Sequence, residues 1–272
     1  VNDLTDAGFA ALTAKIARDK GFGCASYKEK CLRRRIAVRM RARGVHTYSD
    51  YARVLDSDKG EYERLLDALT INVTKLFRNF ETYTAIAERV VPALWERDIP
   101  QISVWSAGCS SGEEPYSVAA LFHRHAEQLE ALDQLATRVR VLGSDIDVRC
   151  LRAAESGSFV EGDFSDTPDA LRSRYFSASS PFTIIPEVRR LVSFERRDLL
   201  AEAAPPGPHH LICCRNVLIY FDRESQERLL DKFHSALSPD GFLVLGKVET
   251  LLGAARQRFA PVDGRERVFR PL

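Results

Sequence analysis

QISVWSAGCSSGEEPYSVAALFHRHAEQL, residues 101–129, reads as a short β-prone run, a turn of small residues and a helix. The same order recurs downstream. VRVLGSD (139–145) opens into a helical stretch from Val148, and HHLICCRN (209–216) opens into a helix that begins near Asp222. GFLVLG (241–246) completes the alternation. Strands separated by helices require parallel crossovers, so the expected fold is α/β with a doubly wound, mostly parallel sheet. The end of the chain departs from that rule. QRFAPV and RERVFR flank Asp263-Gly264, a two-residue hairpin signal, so the last strand is expected to return antiparallel. Between Gly157 and Phe194, polar and aromatic residues surround two short β-prone pieces, FTII and RLVSF, which suggests an insertion over about 157–194.

Upstream of Pro100 the pattern is helical. Leu4, Phe9, Leu12 and Ile16 recur at roughly 3.6-residue spacing, and Gly21 and Gly23 then break the run. Tyr27 to Arg43 form a second helix whose Leu32, Ile36 and Met40 make one apolar stripe, with Gly44 as its stop. Amphipathic segments follow at 48–55, 62–69 and 80–95. Residues 1–70 therefore read as an all-helical domain, 71–98 as a linker and helix, and 99–272 as the α/β domain.

Composition narrows the classes further. The 272 residues are 45% hydrophobic and 28% charged, and 39 basic against 38 acidic residues leave a net charge of +1. That excludes a disordered chain, a fibre or a generic polyanion binder. No apolar run approaches the ~18 residues of a membrane span, and the acidic start VNDLTDAGFAAL is unlike a signal peptide. A cytoplasmic, monomeric protein is expected. The six cysteines show no C-x-x-C pair and the six histidines no metal spacing, so reduced thiols and no metal site are expected.

In an open parallel sheet, ligands bind beyond the carboxyl ends of the strands. Gly108 follows the first strand, where a missing side chain lets a ligand approach the backbone. Asp145 ends the second, where a carboxylate accepts from both hydroxyls of a ribose, and Asn216 ends a later one, where an amide meets an amine or a ring edge. The first turn selects among nucleoside cofactors. It lacks G-x-G-x-x-G and puts Glu113 and Glu114 at the helix start, where a pyrophosphate would sit. These carboxylates repel phosphates and welcome a cationic tail, which describes S-adenosylmethionine. The competing explanation is that they complement the helix dipole. Asn72, Thr74, Arg78 and Asn79 make a second polar patch at the domain junction, where clefts form. The third feature is Tyr27–Arg43, with eight basic residues against Glu29 alone. Arg35, Arg39 and Arg43 share a face, and RNA, an acidic protein and a membrane surface are the partner classes such a face admits.

Taken in order, these patches resemble the chemotaxis receptor methyltransferases of the CheR type. LTINVTKLFRN is similar to that family's T-x-N-x-T-x-F-F-R segment, WSAGCSSGEEPYS to its first cofactor motif, LGSDID to its second and CCRNVLIYF to its fourth. The resemblance implies a Rossmann-like class I methyltransferase sheet, an all-helical N-terminal domain that docks receptors, and a small inserted antiparallel β-subdomain. It implies S-adenosylmethionine as cofactor, S-adenosylhomocysteine as product, and glutamate side chains on the helical bundles of chemoreceptors as acceptors. Carried over by position, it puts Asn72, Thr74, Arg78, Ala107, Gly108, Glu114, Asp145, Asp198, Leu199, Asn216 and Val217 around the cofactor. Arg78, Arg215 and Tyr220 fall near the transferring methyl group. Arg34, Arg35, Arg39 and Arg43 become the receptor-docking face. The chain departs from the family pattern at Asp198, in place of Asn, at Leu76-Phe77, in place of paired Phe, and at Lys247-Val248, in place of His-Ser. The alternatives are a methyltransferase of RNA or a small molecule, and a non-catalytic module that binds the cofactor or receptors.

Overall fold

The computed structural model describes residues 6–70 and 73–272. They fall into two compact units, one of Val1–Ile71 with Tyr220–Gln226, the other of Asn72–Ile219 with Glu227–Leu272. The first unit holds α1 (Asp6–Lys20), α2 (Glu29–Ala42), α3 (Tyr48–Ser57) and α4 (Lys59–Leu69). Phe9, Leu12, Ile16, Leu32, Ile36, Met40, Tyr51, Leu55, Leu65 and Leu69 face one core. Each large apolar side chain contributes roughly 1.5–3 kcal/mol by leaving water. Caps set the boundaries. The Asp58 carboxylate accepts from the Glu61 N–H, so α4 starts three residues before the apolar periodicity at Tyr62 does. α2 is closed by Gly44 just past its end, at φ +65°, with the Val45 N–H on the Met40 carbonyl and the Gly44 N–H on the Arg41 carbonyl, the paired bonds of a glycine-terminated helix.

The basic helix α2 is divided between two tasks. Arg39 forks onto Glu61 at 2.9 and 2.8 Å, and Glu61, fully buried, also accepts from the Tyr51 hydroxyl at 2.8 Å. Arg43 lies 3.2 Å from Asp58, and Arg35 donates to the carbonyls of Ala68 and Leu69, closing the end of α4. The face shared by Arg35, Arg39 and Arg43 is thus turned toward α4. The outward stripe is Lys30, Arg34, Val38 and Arg41, all exposed, whose three cations form no ion pair among the described residues. A late segment completes this unit: Tyr27 and Phe221 form an antiparallel bridge, with the Lys28 N–H on the Tyr220 carbonyl and the Asp222 N–H on the Ser26 carbonyl. The Arg35 guanidinium lies 5.3 Å from the Tyr220 ring centre.

The second unit begins with α5 (Phe80–Ala85), a π-turn at Ile86–Val90 and α6 (Val91–Trp95). The expected helix 80–95 is helical throughout and widens by one π-turn just before Pro92, whose ring has no N–H and crowds the preceding turn. Then follow β1 (Ile102–Ala107), α7 (Glu113–Gln128), α8 (Leu132–Arg138), β2 (Val139–Asp145), α9 (Val148–Ser156), β3 (Ser158–Phe159), α10 (Asp169–Tyr175), β4 (Phe182–Thr183), α11 (Pro186–Arg189), β5 (Val192–Arg196), β6 (His209–Cys214), α12 (Arg223–Ala236), β7 (Leu237–Leu245), α13 (Ala255–Arg258), β8 (Phe259–Asp263) and β9 (Val268–Pro271). The central sheet has the order β5-β2-β1-β6-β7-β9-β8. Its first five strands are parallel, and β9 runs antiparallel to both neighbours, as the sequence predicts for the last strand. β3 and β4 form a separate antiparallel pair within the insertion.

Two sequence expectations change. The last three residues of RLVSF, Val192–Phe194, belong to β5, the edge strand of the central sheet, so the insertion closes before them; Gly143 on β2 leaves room for the Phe194 ring, 2.8 Å from where a Cβ would stand. The β8–β9 connection is wider than two residues, because the Asp263 carboxylate accepts from the N–H groups of both Arg265 and Glu266. No helix of the described residues is long and apolar enough to cross a membrane, and all six cysteines are free thiols.

The Arg39–Glu61 pair carries a test. Arg39→Met leaves a buried carboxylate without its fork, a loss of about 3–5 kcal/mol for a broken buried pair. Denaturant unfolding is expected to show that loss, whereas Arg34→Met leaves stability within about 0.5 kcal/mol.

Candidate functional site

The strand order reverses between β1 and β6, and there the carboxyl ends of the strands diverge into loops. Ala107, fully buried, ends β1. Gly108 follows at φ +83°, and a Cβ on it would stand 2.6 Å from Cγ2 of Val217, so the turns after β1 and β6 meet in contact that only glycine permits. Asp145 ends β2, almost buried. Its Oδ2 accepts from the Ser110 N–H at 2.8 Å and its Oδ1 from the Asp147 N–H at 3.0 Å. Burial raises its pKa above the usual carboxylate range. Each oxygen retains a lone pair for another donor.

Glu113 and Glu114 begin α7 but point to different places. Glu114 accepts from the Ser106 hydroxyl at 2.7 Å and lies 3.8 Å from the Arg215 guanidinium. Burial holds its pKa up. Glu113 is buried against the Ser111 hydroxyl, with Thr74 and Asp163 nearby, and burial pushes its pKa up to about 7. Neither glutamate is a solvated complement to the helix dipole.

Arg215, which the resemblance puts near the transferring group, is buried and holds backbone. Its Nη2 donates to the Arg78 carbonyl at 2.7 Å, its Nη1 reaches the Tyr83 hydroxyl at 3.3 Å, and its Nε has no partner among the described residues. Asn216 adopts φ +61° and leaves a buried Oδ1 unpartnered among the same residues. Glu249, which the sequence reading passed over, holds this turn: its carboxylate accepts from the N–H groups of Gly246, Asn216 and Ile219 at 2.7, 3.0 and 3.3 Å. The G-x-x-E spacing after β7 was the available signal. The substituted Lys247 pairs with Glu81 at 3.0 Å and Glu266 at 3.4 Å, and Val248 is left 75% exposed.

The linker lies across the start of α7. The Phe77 N–H donates to the Ser117 hydroxyl at 2.9 Å, and Arg78 folds back so that Nη1 donates to the Val73 carbonyl at 2.7 Å. Asp198 organises a turn, its Oδ1 accepting from the N–H groups of Leu200 and Ala201, beside the buried Leu199. Asn72 lies outside the described residues, and Tyr220 belongs to the helical unit.

The residues fit S-adenosylmethionine. Ser110 Oγ, Arg215 Nε and Asn216 Oδ1 are buried polar atoms without protein partners among the described residues; Ser110 gives its N–H to Asp145, and Arg215 and Asn216 lead into Val217, which packs on Gly108. Glu113, Glu114, Asp145 and Glu249 crowd the same strand ends, a setting for a cationic rather than a phosphorylated ligand.

Comparison with known proteins agrees. Residues 72–268 match the CheR methyltransferase, SAM binding domain, and residues 7–70 the CheR methyltransferase, all-alpha domain. The chain is 35% identical over 262 residues to a chemotaxis protein methyltransferase of Klebsiella aerogenes, covering 93% of this chain and 86% of the relative. It is 32% identical over 254 residues to that of Escherichia coli, covering 90% and 85%. Among solved structures, a TehB-like SAM-dependent methyltransferase from Corynebacterium glutamicum aligns at 17% identity and a TM-score of 0.38, covering 72% of this chain and 95% of that one. The chain belongs to the CheR family of S-adenosylmethionine-dependent chemotaxis protein methyltransferases.

Proposed function

We propose that this chain methylates glutamate side chains on the cytoplasmic helical bundle of chemoreceptors and so tunes signalling adaptation. The observation that carries the acceptor class is the outward stripe of α2, where Lys30, Arg34 and Arg41 surround Val38 without internal ion pairs among the described residues. A cationic face with one apolar contact suits a helix surface rich in glutamate. The relatives' name, chemotaxis protein methyltransferase, supports the same partner.

S-adenosylmethionine, when bound, supplies a methyl group on a positively charged sulfur, already activated for transfer. The protein's task is to bind and orient. A glutamate with an ordinary pKa of ~4.3 is ionised at neutral pH and needs no general base. Asp145 is assigned to the ribose hydroxyls through its remaining lone pairs. Asn216, Val217 and Asp198-Leu199 border the nucleoside and tail, with Gly108 and Ala107 as the floor. Glu114 meets the ammonium end, and Thr74 and Arg78 line the site from the linker. Arg78 acts on the cofactor side, since an ion pair with the acceptor carboxylate would quench the nucleophile. Tyr220 is assigned to the acceptor, with a hydroxyl that orients its carboxylate. Arg215 supports the linker backbone, and orientation of this kind can supply up to ~7–11 kcal/mol of a barrier.

Five outcomes are expected. Incubation with methyl-labelled S-adenosylmethionine and a chemoreceptor cytoplasmic fragment gives label that mild alkali releases as methanol; label stable to alkali, or found in RNA, refutes the glutamate reading. Reversing Arg34 and Arg41 to Glu together weakens receptor binding about tenfold, from 0.2–1 kcal/mol for each exposed pair lost and again reversed, with unfolding unchanged. Raising the salt concentration weakens wild-type binding similarly. Asp145→Ala weakens cofactor binding by roughly 10- to 100-fold in calorimetry, for hydrogen bonds to a charged group at about 1.5–3 kcal/mol. Because burial raises the Asp145 pKa, protonation begins at higher pH than for an ordinary carboxylate, so wild-type cofactor binding falls on acidification more steeply than that of Asp145→Asn.

A further inference from the structure

The insertion reaches the linker that carries Arg78. The Leu76 N–H donates to the Asp163 carbonyl at 2.9 Å, and the Thr167 hydroxyl donates to the Leu76 carbonyl at 3.0 Å. Asp166 makes the third connection: its Oδ2 accepts from the Asn79 N–H at 3.0 Å, and its Oδ1 lies 3.3 Å from Lys75 Nζ. These contacts bracket a strained stretch. Phe77 and Asn79, on either side of Arg78, have φ of +50° and +57°; for Phe77 this left-handed conformation is one that a bulky residue keeps only when neighbours over-determine it, while asparagine enters it more readily. The Phe77 N–H is held by Ser117 and the Arg78 carbonyl by Arg215. The Asn79 N–H depends on Asp166.

We propose that Asp166 is a positioning residue for methyl transfer: by accepting the Asn79 N–H, it locks the left-handed backbone that presents Arg78 to the cofactor. This rests on the reading of Arg78 as a wall of the cofactor site. Asp166 is placed in the insertion, 87 residues from Asn79 in sequence, so the insertion is a buttress of the transfer site. The backbone bond is the operative contact. The Lys75 pair is part-exposed, at 39% and 27% for the two side chains, and such pairs contribute little.

The test compares the full chain with Asp166→Ala, Asp166→Asn and Lys75→Met. Turnover is measured with labelled S-adenosylmethionine and a receptor fragment, alongside amide hydrogen exchange at Asn79. Asp166→Ala is expected to lower kcat about 10- to 100-fold, the scale of a misplaced orienting group, with the acceptor KM nearly unchanged and Asn79 exchanging at least tenfold faster. Asp166→Asn keeps an oxygen acceptor and recovers most of both. Lys75→Met stays near wild type in both. Wild-type kcat in Asp166→Ala overturns the proposal, as does an equal loss in Asp166→Asn or in Lys75→Met. Asp166→Asn and Lys75→Met keep the test decisive if Asp166→Ala fails to fold. If the wild-type chain does not methylate glutamate, turnover is absent throughout, while Asn79 exchange still reports on the lock.

Discussion

Backbone N–H groups stranded where strands end are the constraint that the rest of this site answers to. A parallel ladder stops at the carboxyl edge, and a loop that turns sharply there buries donors no neighbouring strand can accept. In this chain carboxylates collect them. Asp145 takes the N–H groups of Ser110 and Asp147, and Glu249 takes those of Gly246, Asn216 and Ile219. Asp198 does the same for Leu200 and Ala201, and away from the strand ends, in the linker, Asp166 takes the N–H of Asn79. The loops around the proposed cofactor are therefore shaped by acid side chains, and the acidity of the site is first a consequence of building it.

That architecture has an electrostatic consequence. Burial raises the pKa of Glu113, Glu114, Asp145 and Glu249 alike. A carboxyl whose pKa is higher folded than unfolded stabilises the fold most below its unfolded pKa, and that contribution is lost as pH rises through the folded one. For Glu113 the window runs from its ordinary 4.5 to about 7. At neutral pH the fold thus carries carboxylates that are costly to ionise, and a cationic ligand relieves that cost where a phosphate would add to it. Arg215 offsets part of it from within, close to Glu114.

The parallel strands were legible because each is a short apolar run ended by a glycine or a polar residue, and the chemistry at their ends follows from the fold's geometry. What was not legible depended on distant partners. RLVSF has the same alternation whether it pairs inside an insertion or along β2, and only the room at Gly143 for Phe194 distinguishes the two. The end of CCRNVLIYF reads as a continuation of its own motif, yet Tyr220 to Asp222 bridge back to Ser26–Lys28. Asp166 carries no motif, because what it recognises is a backbone N–H.

The basic helix shows how periodicity must be joined to burial before charge is given a function. Its surplus of seven cations invites reading the whole helix as a docking face, but a helix presents each side chain to one neighbour only. Arg35 and Arg39 sit four apart on the inner side, where α4 offers carbonyls at its end and the buried Glu61 near its start. A guanidinium there is a strut, and its exchange for a neutral residue would register as unfolding before it registered as weaker binding. Lys30, Arg34 and Arg41 lie on the other side around Val38, and their charge is screened beyond about 8 Å at physiological salt. The long-range attraction is thus weaker than the formal count implies, and it belongs to a narrow stripe whose register can match one face of a partner helix.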